Sequence, residues 1–415
     1  MSAETGQVGV VRGTALFVAA IIGPGILTLP AIAAAQAGPA SLLSLAVLLV
    51  ASAPVALTFV ALRRAAPGAG GIAGYAAGAF GPSIGRLVAA WFTYGIPIGV
   101  AALGLIGGQY VAEAFGGGKP VAVSTATVIC VMAIVASVFR RAGTGNLILL
   151  TSAALVVLVL ATAVASIPYA DVSNLSPVAP NGFVAVAASA VVLTWVLTGW
   201  EAVTNFNDIL RNPGRTLPRV TAATLVIVGV LYAAVAIPEI LVLGPTVGGS
   251  EAPIAALLSL TVGPAGAVVA AVLAVALALG NSLAYVGSLA EMGAGQARNQ
   301  ARSAGLGRAK ALVVPALIII VGLSLAAFTP IGIAELVSVC AGSQVPVLLI
   351  GVASALKLLA PRTGRWWLAV AATAAVAALL IPAAPYLIFP AGIALGVWVS
   401  MRIGRCRTRR RCASP

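Results

Sequence analysis

The chain has 415 residues, 61% of them hydrophobic and only 8% charged, with a net charge of +14. A soluble domain carries about 25% charged residues, and no water-soluble fold of this length can hide so much apolar surface, so an integral membrane protein is expected. The positive charge sits in short clusters between apolar runs. That excludes the basic stripe on a polar face that a nucleic-acid binder needs.

A membrane-crossing helix takes about 20 mostly apolar residues. Twelve such runs are predicted, at 10–33, 39–62, 84–108, 121–139, 146–167, 183–209, 218–241, 264–290, 311–329, 332–356, 366–383 and 385–402. No cleavable signal precedes the first run, where Glu4 and Arg12 stand before a stretch long enough to span. Residues 252–261 read as a short helix outside the membrane. With a cytoplasmic N-terminus, all but Lys119 of the 23 Lys and Arg residues fall on the cytoplasmic side. The positive-inside rule then places both termini inside, and one added or missing span would scramble the pattern. Among the carboxylates, Glu113, Asp171, Glu239 and Glu251 are expected in or beside outer loops. Only Glu201 and Glu335 could lie at membrane depth, and for Glu335, which begins the tenth run, a position at the outer boundary is favoured.

The first run contains Ile22-Gly23-Pro24-Gly25-Ile26. Two glycines weaken a helix, and a proline removes a donor and clashes with the preceding turn. A helix broken at mid-bilayer needs protein or water over its bare backbone, so a cavity is expected there. Free N–H groups near Gly25, Ile26 and Leu27 would suit a carboxylate. The competing reading is a proline kink used for packing alone. The fifth run, Asn146 to Ile167, contains no lysine.

The sixth run carries Trp195-Val196-Leu197-Thr198-Gly199-Trp200-Glu201. The carbonyls of Val196, Leu197 and Thr198 would end a first half-helix and face a substrate ammonium, with Trp195 closing over it. Glu201 lies where charge is costly, which marks it as a coupling or gating group, Trp200 beside it; the alternative is a structural carboxyl bonded to a neighbouring helix. The loop from Asn207 to Arg219 follows, and Asp208 with nearby arginines would latch an inner gate or simply form a turn. Two breaks five spans apart point to an inverted repeat, with a site at the midplane.

In the eighth run, Asn281 and Ser282 could aid a coupling ion and Tyr285 could face the pocket, although helix packing by these groups competes. Ser338, Ser343 and Gln344 in the tenth run are weaker polar candidates. There is no histidine, and the four cysteines show no metal-ligand spacing. No cofactor or metal is expected. An enzyme lacks the residues it would need, ATP-driven pumping lacks a phosphate-binding loop, and a channel lacks a repeated filter.

Taken together these residues resemble the amino acid–polyamine–organocation (APC) superfamily. Gly23-Pro24-Gly25-Ile26 is similar to that superfamily's first-helix break. Trp195, Gly199 and Glu201 are similar to its sixth helix, Arg211-Asn212-Pro213 and Pro218-Arg219 to its following loop, and Ala66 to Ile72 to its first inner loop. The nearest branch in appearance is the bacterial exporters of methionine and branched-chain amino acids.

The resemblance implies an all-α, LeuT-like fold of five plus five inverted helices, with helices one and six broken. It divides the chain into a cytoplasmic 1–9, a first repeat 10–167, a second repeat 183–356, two further helices in 366–402 and a basic tail 403–415. It also implies an amino acid as partner, with its carboxylate on the first break and its ammonium on sixth-helix carbonyls. Pro24 departs from a position that often donates a hydrogen bond. The expectation is a secondary carrier of neutral amino acids in the bacterial inner membrane, a monomer or homodimer, working by proton coupling or exchange; the alternative is an importer or sodium-coupled carrier of another amino acid or amine.

Overall fold

The structure, a computed structural model, describes residues 8–139, 144–200, 210–297 and 304–412. Among these residues there is no strand, only one isolated parallel bridge between Val8 and Leu210. Among the described residues, nine helices are long and apolar enough to cross a membrane unaided. The first, sixth and twelfth spans complete the expected set: two of them are interrupted, and the last is apolar only over Ile388–Arg402.

The first span is two half-helices, Val10–Ile21 and Leu29–Ala37, joined by a 3-10 turn at Pro24–Leu27. The second is Ser41–Ala65. A nine-residue helix, Ile72–Phe80, then lies between the second and third spans and has no counterpart among the expected runs. It is too short to cross, and its glycine-rich approach hides it from a hydropathy reading. The third span, Pro82–Phe115, is 34 residues long. The fourth is Gly118–Phe139, the fifth Thr144–Ser166, and the sixth begins as Gly182–Leu193. The seventh is Pro213–Pro238, followed by a short helix Pro253–Val262 as expected, then the eighth, Pro264–Ala297. The ninth to twelfth are Ala304–Phe328, Ile333–Leu358, Gly364–Ala378 and Ile388–Cys412.

The third span is the centre of the bundle and packs against the fourth, eighth, ninth, tenth and twelfth. Lipid supplies no hydrophobic drive between helices, so close approach of small residues must hold them together. Gly108 shows how tight this is: a Cβ placed there would fall 2.0 Å from the carbonyl oxygen of Ala122. Neither atom belongs to a flexible side chain. Gly108→Ala is therefore expected to push the third and fourth spans apart and cost about 3 kcal/mol or more, the upper end for overpacking. A lowered melting temperature in detergent checks this, and an unchanged one would show that the helices separate freely.

One end of the bundle collects the basic loops. Arg211 N–H donates to Val8 O at 3.0 Å, and Arg64 bonds Gly214 O across the second and seventh spans. Asn212 holds a left-handed conformation, which asparagine tolerates, and Pro213 then opens the seventh span. Lys119 is at the other end, donating to Thr329 O at 2.6 Å.

Two carboxylates need comment. Glu335 is exposed and caps the tenth span by accepting from Gly332 N–H at 2.8 Å, which fits a boundary position rather than one at membrane depth. Glu239, expected at an outer loop, is instead fully buried. The short helix 253–262, the segment 172–175 and the second half of the first span all pack around its turn. Sequence proximity to a boundary could not reveal that cover.

Candidate functional site

The break in the first span is built from its residues as the sequence suggests. Ile22 is extended, its N–H still bonded to Val18 O at 2.8 Å, and Gly23 is extended too. Pro24 opens the 3-10 turn. Ile26 donates back to Gly23 O at 3.3 Å and Thr28 to Gly25 O at 3.2 Å. The N–H groups of Gly23 and Gly25 bond no carbonyl among the described residues. They are backbone donors at the start of the second half-helix, whose terminus carries roughly half a positive charge. Ile22, Gly23, Pro24, Gly25 and Ile26 thus share one interruption, and all but the half-buried Gly23 are buried.

The sixth span ends its first half in a 3-10 turn, Thr194–Leu197. Thr198 is extended, and Gly199 has φ +95°, a conformation that side chains rarely adopt. A Cβ at Gly199 would sit 3.3 Å from Ile21 Cα, so the two breaks face each other directly. Thr198 folds its hydroxyl onto Trp195 O at 2.8 Å. Trp200 is fully buried, donates to Val196 O at 2.9 Å and meets Phe17 edge to face at 6.2 Å. Its indole thus packs the end of this half-helix against the first span. Glu201 and Asp208 lie outside the described residues, as does Asn207.

Trp195 is the hub. Its benzo ring stands between Gly25, whose Cβ position lies 3.3 Å from it, and Gly99 of the third span, whose Cβ position lies 3.4 Å from it. Its indole N–H is buried with no acceptor. Around it is a cavity of about 40 Å³ lined by Phe92, Ile96, Gly99, Leu103, Thr198, Tyr285, Cys340 and Gln344. That volume holds a water or two, not an amino acid. The indole fills the space between the two breaks.

Asn281 of the eighth span reaches the first break, its Oδ1 lying 3.2 Å from the Cβ position of Gly23, while its Nδ2 donates to Leu277 O at 3.0 Å. Ser282 is fully buried, and its hydroxyl has no partner. Among the sequence candidates, Trp195, Thr198 and Tyr285 line the cavity together, and Asn281 joins the glycine break. The third-span residues that line the cavity, Phe92, Ile96, Gly99 and Leu103, are all apolar and escaped the sequence reading. The one signal was the glycine spacing Gly95-x-x-x-Gly99. Gln344, a weaker candidate, lines the cavity, and Ser343 packs against Gly95 instead.

A family model described as amino acid permease matches residues 8–401. The chain belongs to the amino acid permease family. It is accordingly an APC superfamily transporter and a multi-pass membrane protein. The permease is 26% identical over 405 residues, 94% of each chain, to an uncharacterized amino acid permease, YecA, of Bacillus subtilis. It is 27% identical over 242 residues, 56% of each chain, to the L-methionine/branched-chain amino acid exporter YjeH of Escherichia coli. In fold it matches the crystal structure of MhsT in complex with L-phenylalanine, with TM-score 0.64 over 92% of the permease and 100% of that chain, at 14% identity. The LeuT-like architecture that the resemblance implies is thus the architecture of the permease.

Proposed function

We propose that the permease is a secondary active transporter of small neutral amino acids, such as methionine and the branched-chain residues. It works by alternating access, with proton coupling or exchange, in a bacterial inner membrane with both termini cytoplasmic. The observation that carries this reading is the chemistry of the chamber. Backbone donors of the first break and the end of the sixth half-helix flank a space whose described walls are apolar or neutral: Phe92, Ile96, Leu103, Trp195, Tyr285 and Gln344. Free peptide groups suit the two charges of a zwitterion, and apolar walls suit an uncharged side chain. The named substrates of the exporter YjeH agree with that chemistry. A putrescine transporter, PotE of Escherichia coli, is also similar, at 29% over 224 residues. A diamine would call for an acidic wall, and none of the described lining residues supplies one.

Orientation rests on the basic loops gathered at one end, Arg64, Arg86, Arg211, Lys357 and Arg402, against Lys119 at the other. Glu201 is the proposed coupling carboxyl, because it follows the broken turn at membrane depth.

Uptake of radiolabelled methionine and leucine into proteoliposomes, under imposed pH or sodium gradients, tests the reading. A saturable uptake driven by the pH gradient is expected. In Glu201→Gln, exchange across the membrane is expected to persist while gradient-driven accumulation falls to the equilibrium level. No uptake of either amino acid would overturn the substrate class. Full pH-driven accumulation in Glu201→Gln would remove Glu201 from coupling.

A further inference from the structure

Glu239 has no place in the site described above, yet it is fully buried, and neither carboxylate oxygen has a hydrogen-bond partner among the described residues. It begins a π-helical turn, Glu239–Leu243, at the end of the seventh span. Such turns are rare and concentrate at functional positions. An ionised carboxyl without water, donor or counter-charge is among the costliest groups to bury. The groups on the surrounding elements do not relieve it. Tyr110 and Glu113 come from the third span, Tyr232 from its own helix, Asp171 precedes the segment 172–175, and Glu251, near Lys119, leads into the helix 253–262. None of them gives the carboxyl a hydrogen bond or a compensating charge.

Tyr110 lies within electrostatic reach of Glu239 and is also fully buried. Its hydroxyl donates to Leu27 O at 2.7 Å and accepts from Ile254 N–H at 3.3 Å. Leu27 closes the 3-10 turn of the first break, and the buried Thr28 hydroxyl beside it interacts with the same tyrosine. One tyrosine hydroxyl therefore ties the second half of the first span to the helix 253–262, within electrostatic reach of the Glu239 carboxyl. Ala31 and Ala34 of that half-helix pack on Ile240 and Val247 just beyond Glu239.

We infer that Glu239 is a proton-binding site, and that its proton holds this end of the transporter closed. With the proton on, the neutral carboxyl fits the dry packing, and Tyr110 keeps its bond to Leu27 O. With the proton off, the carboxylate needs water and competes for the tyrosine O–H through a stronger, charge-assisted bond. Leu27 O then loses its donor, and the second half of the first span separates from the seventh. The linkage sign follows: the closed state binds one more proton than the open one, so lower pH on that side favours closure. A proton suffices, because the tyrosine hydroxyl is already engaged as donor and acceptor, and the several oxygens of a metal-ion cage are not there. In the orientation proposed above this is the external end. The inference rests on alternating access but not on the identity of the substrate or on Glu201.

The test needs no substrate. Cysteine is placed at Ala31, which is 1% exposed and would become wet only on opening, and in a control at Val172, which is 75% exposed. Cys406 and Cys412 are replaced by serine. A membrane-impermeant thiol reagent is added at about pH 5.5 and about pH 8. The control cancels the thiol's own titration. Relative to it, labelling at Ala31→Cys is expected to rise about ten-fold or more with pH. Adding Glu239→Gln, which mimics the protonated form, is expected to keep labelling slow at both values. Adding Tyr110→Phe, which removes the tie, is expected to make it fast at both. If Glu239→Gln fails to assemble, the parent pair still decides the matter: a ratio to the control that does not change with pH overturns the inference. So does equal pH dependence with and without Glu239. Labelling set by sodium and not by pH would overturn it too, by making Glu239 a cation ligand. Absent leucine and methionine uptake with intact pH-dependent labelling would sink the substrate class alone.

Discussion

Gly25→Trp is expected to abolish amino acid uptake while leaving a folded, monodisperse protein in the membrane. The space that Gly25 leaves is already shared: its Cβ position is 3.0 Å from Leu29 Cδ1 and 3.3 Å from the ring of Trp195. An added indole must displace Trp195 into the chamber and cover the unbonded N–H groups of Gly23 and Gly25. A carboxylate held there would lose its donors and its alignment together. Misplacement of a bound group by about 1 Å costs about 10²-fold in rate, and complete blockage costs more. Gly25→Ala puts only a methyl in the same tight contact, so a partial loss is expected, about ten-fold at most. Uptake into proteoliposomes read beside thermal melting separates the two effects. Normal uptake by Gly25→Trp would mean that the broken turn is packing and not a site.

The parts of this molecule legible in its sequence are those with a local cause. Apolar runs of spanning length follow from bilayer thickness, and the interruptions at Gly23-Pro24-Gly25 and at Gly199 follow from backbone chemistry that neighbours cannot override. The Arg211-Asn212-Pro213 motif likewise becomes a left-handed asparagine followed by a helix-opening proline. Trp195, Thr198 and Tyr285 could be singled out because they stand out against apolar surroundings.

What sequence did not show depends on distant packing. Glu239 stands at the end of an apolar run, where a charge normally marks the way into a loop, and only the covering helix 253–262 and the first-span half-helix bury it. Trp200, grouped with Glu201 from its position, also packs edge to face on Phe17, a contact between spans that its sequence position could not reveal. Phe92, Ile96 and Leu103 read like any lipid-facing apolar residues until the third span is known to run through the centre of the bundle.

That third-span wall is where substrate size should be set. Gly99 faces Trp195 across the cavity, and a Cβ there would lie 2.9 Å from Cys340 Sγ and 3.4 Å from the indole. Both neighbours are side chains that can yield by a few tenths of an ångström, so Gly99→Val should fold. Its two methyls would then occupy the cavity of about 40 Å³ that a substrate side chain must enlarge to enter. In an apolar pocket, each methylene that fits or fails to fit changes specificity by about 10- to 200-fold. Leucine and methionine uptake by Gly99→Val is therefore expected to fall about 10²-fold, and alanine uptake by less than about ten-fold. The ratio of leucine to alanine uptake is the measurement, because a variant that is merely damaged loses both alike. An unchanged ratio would place the substrate's side chain somewhere other than against Gly99, and would move the pocket off the third span.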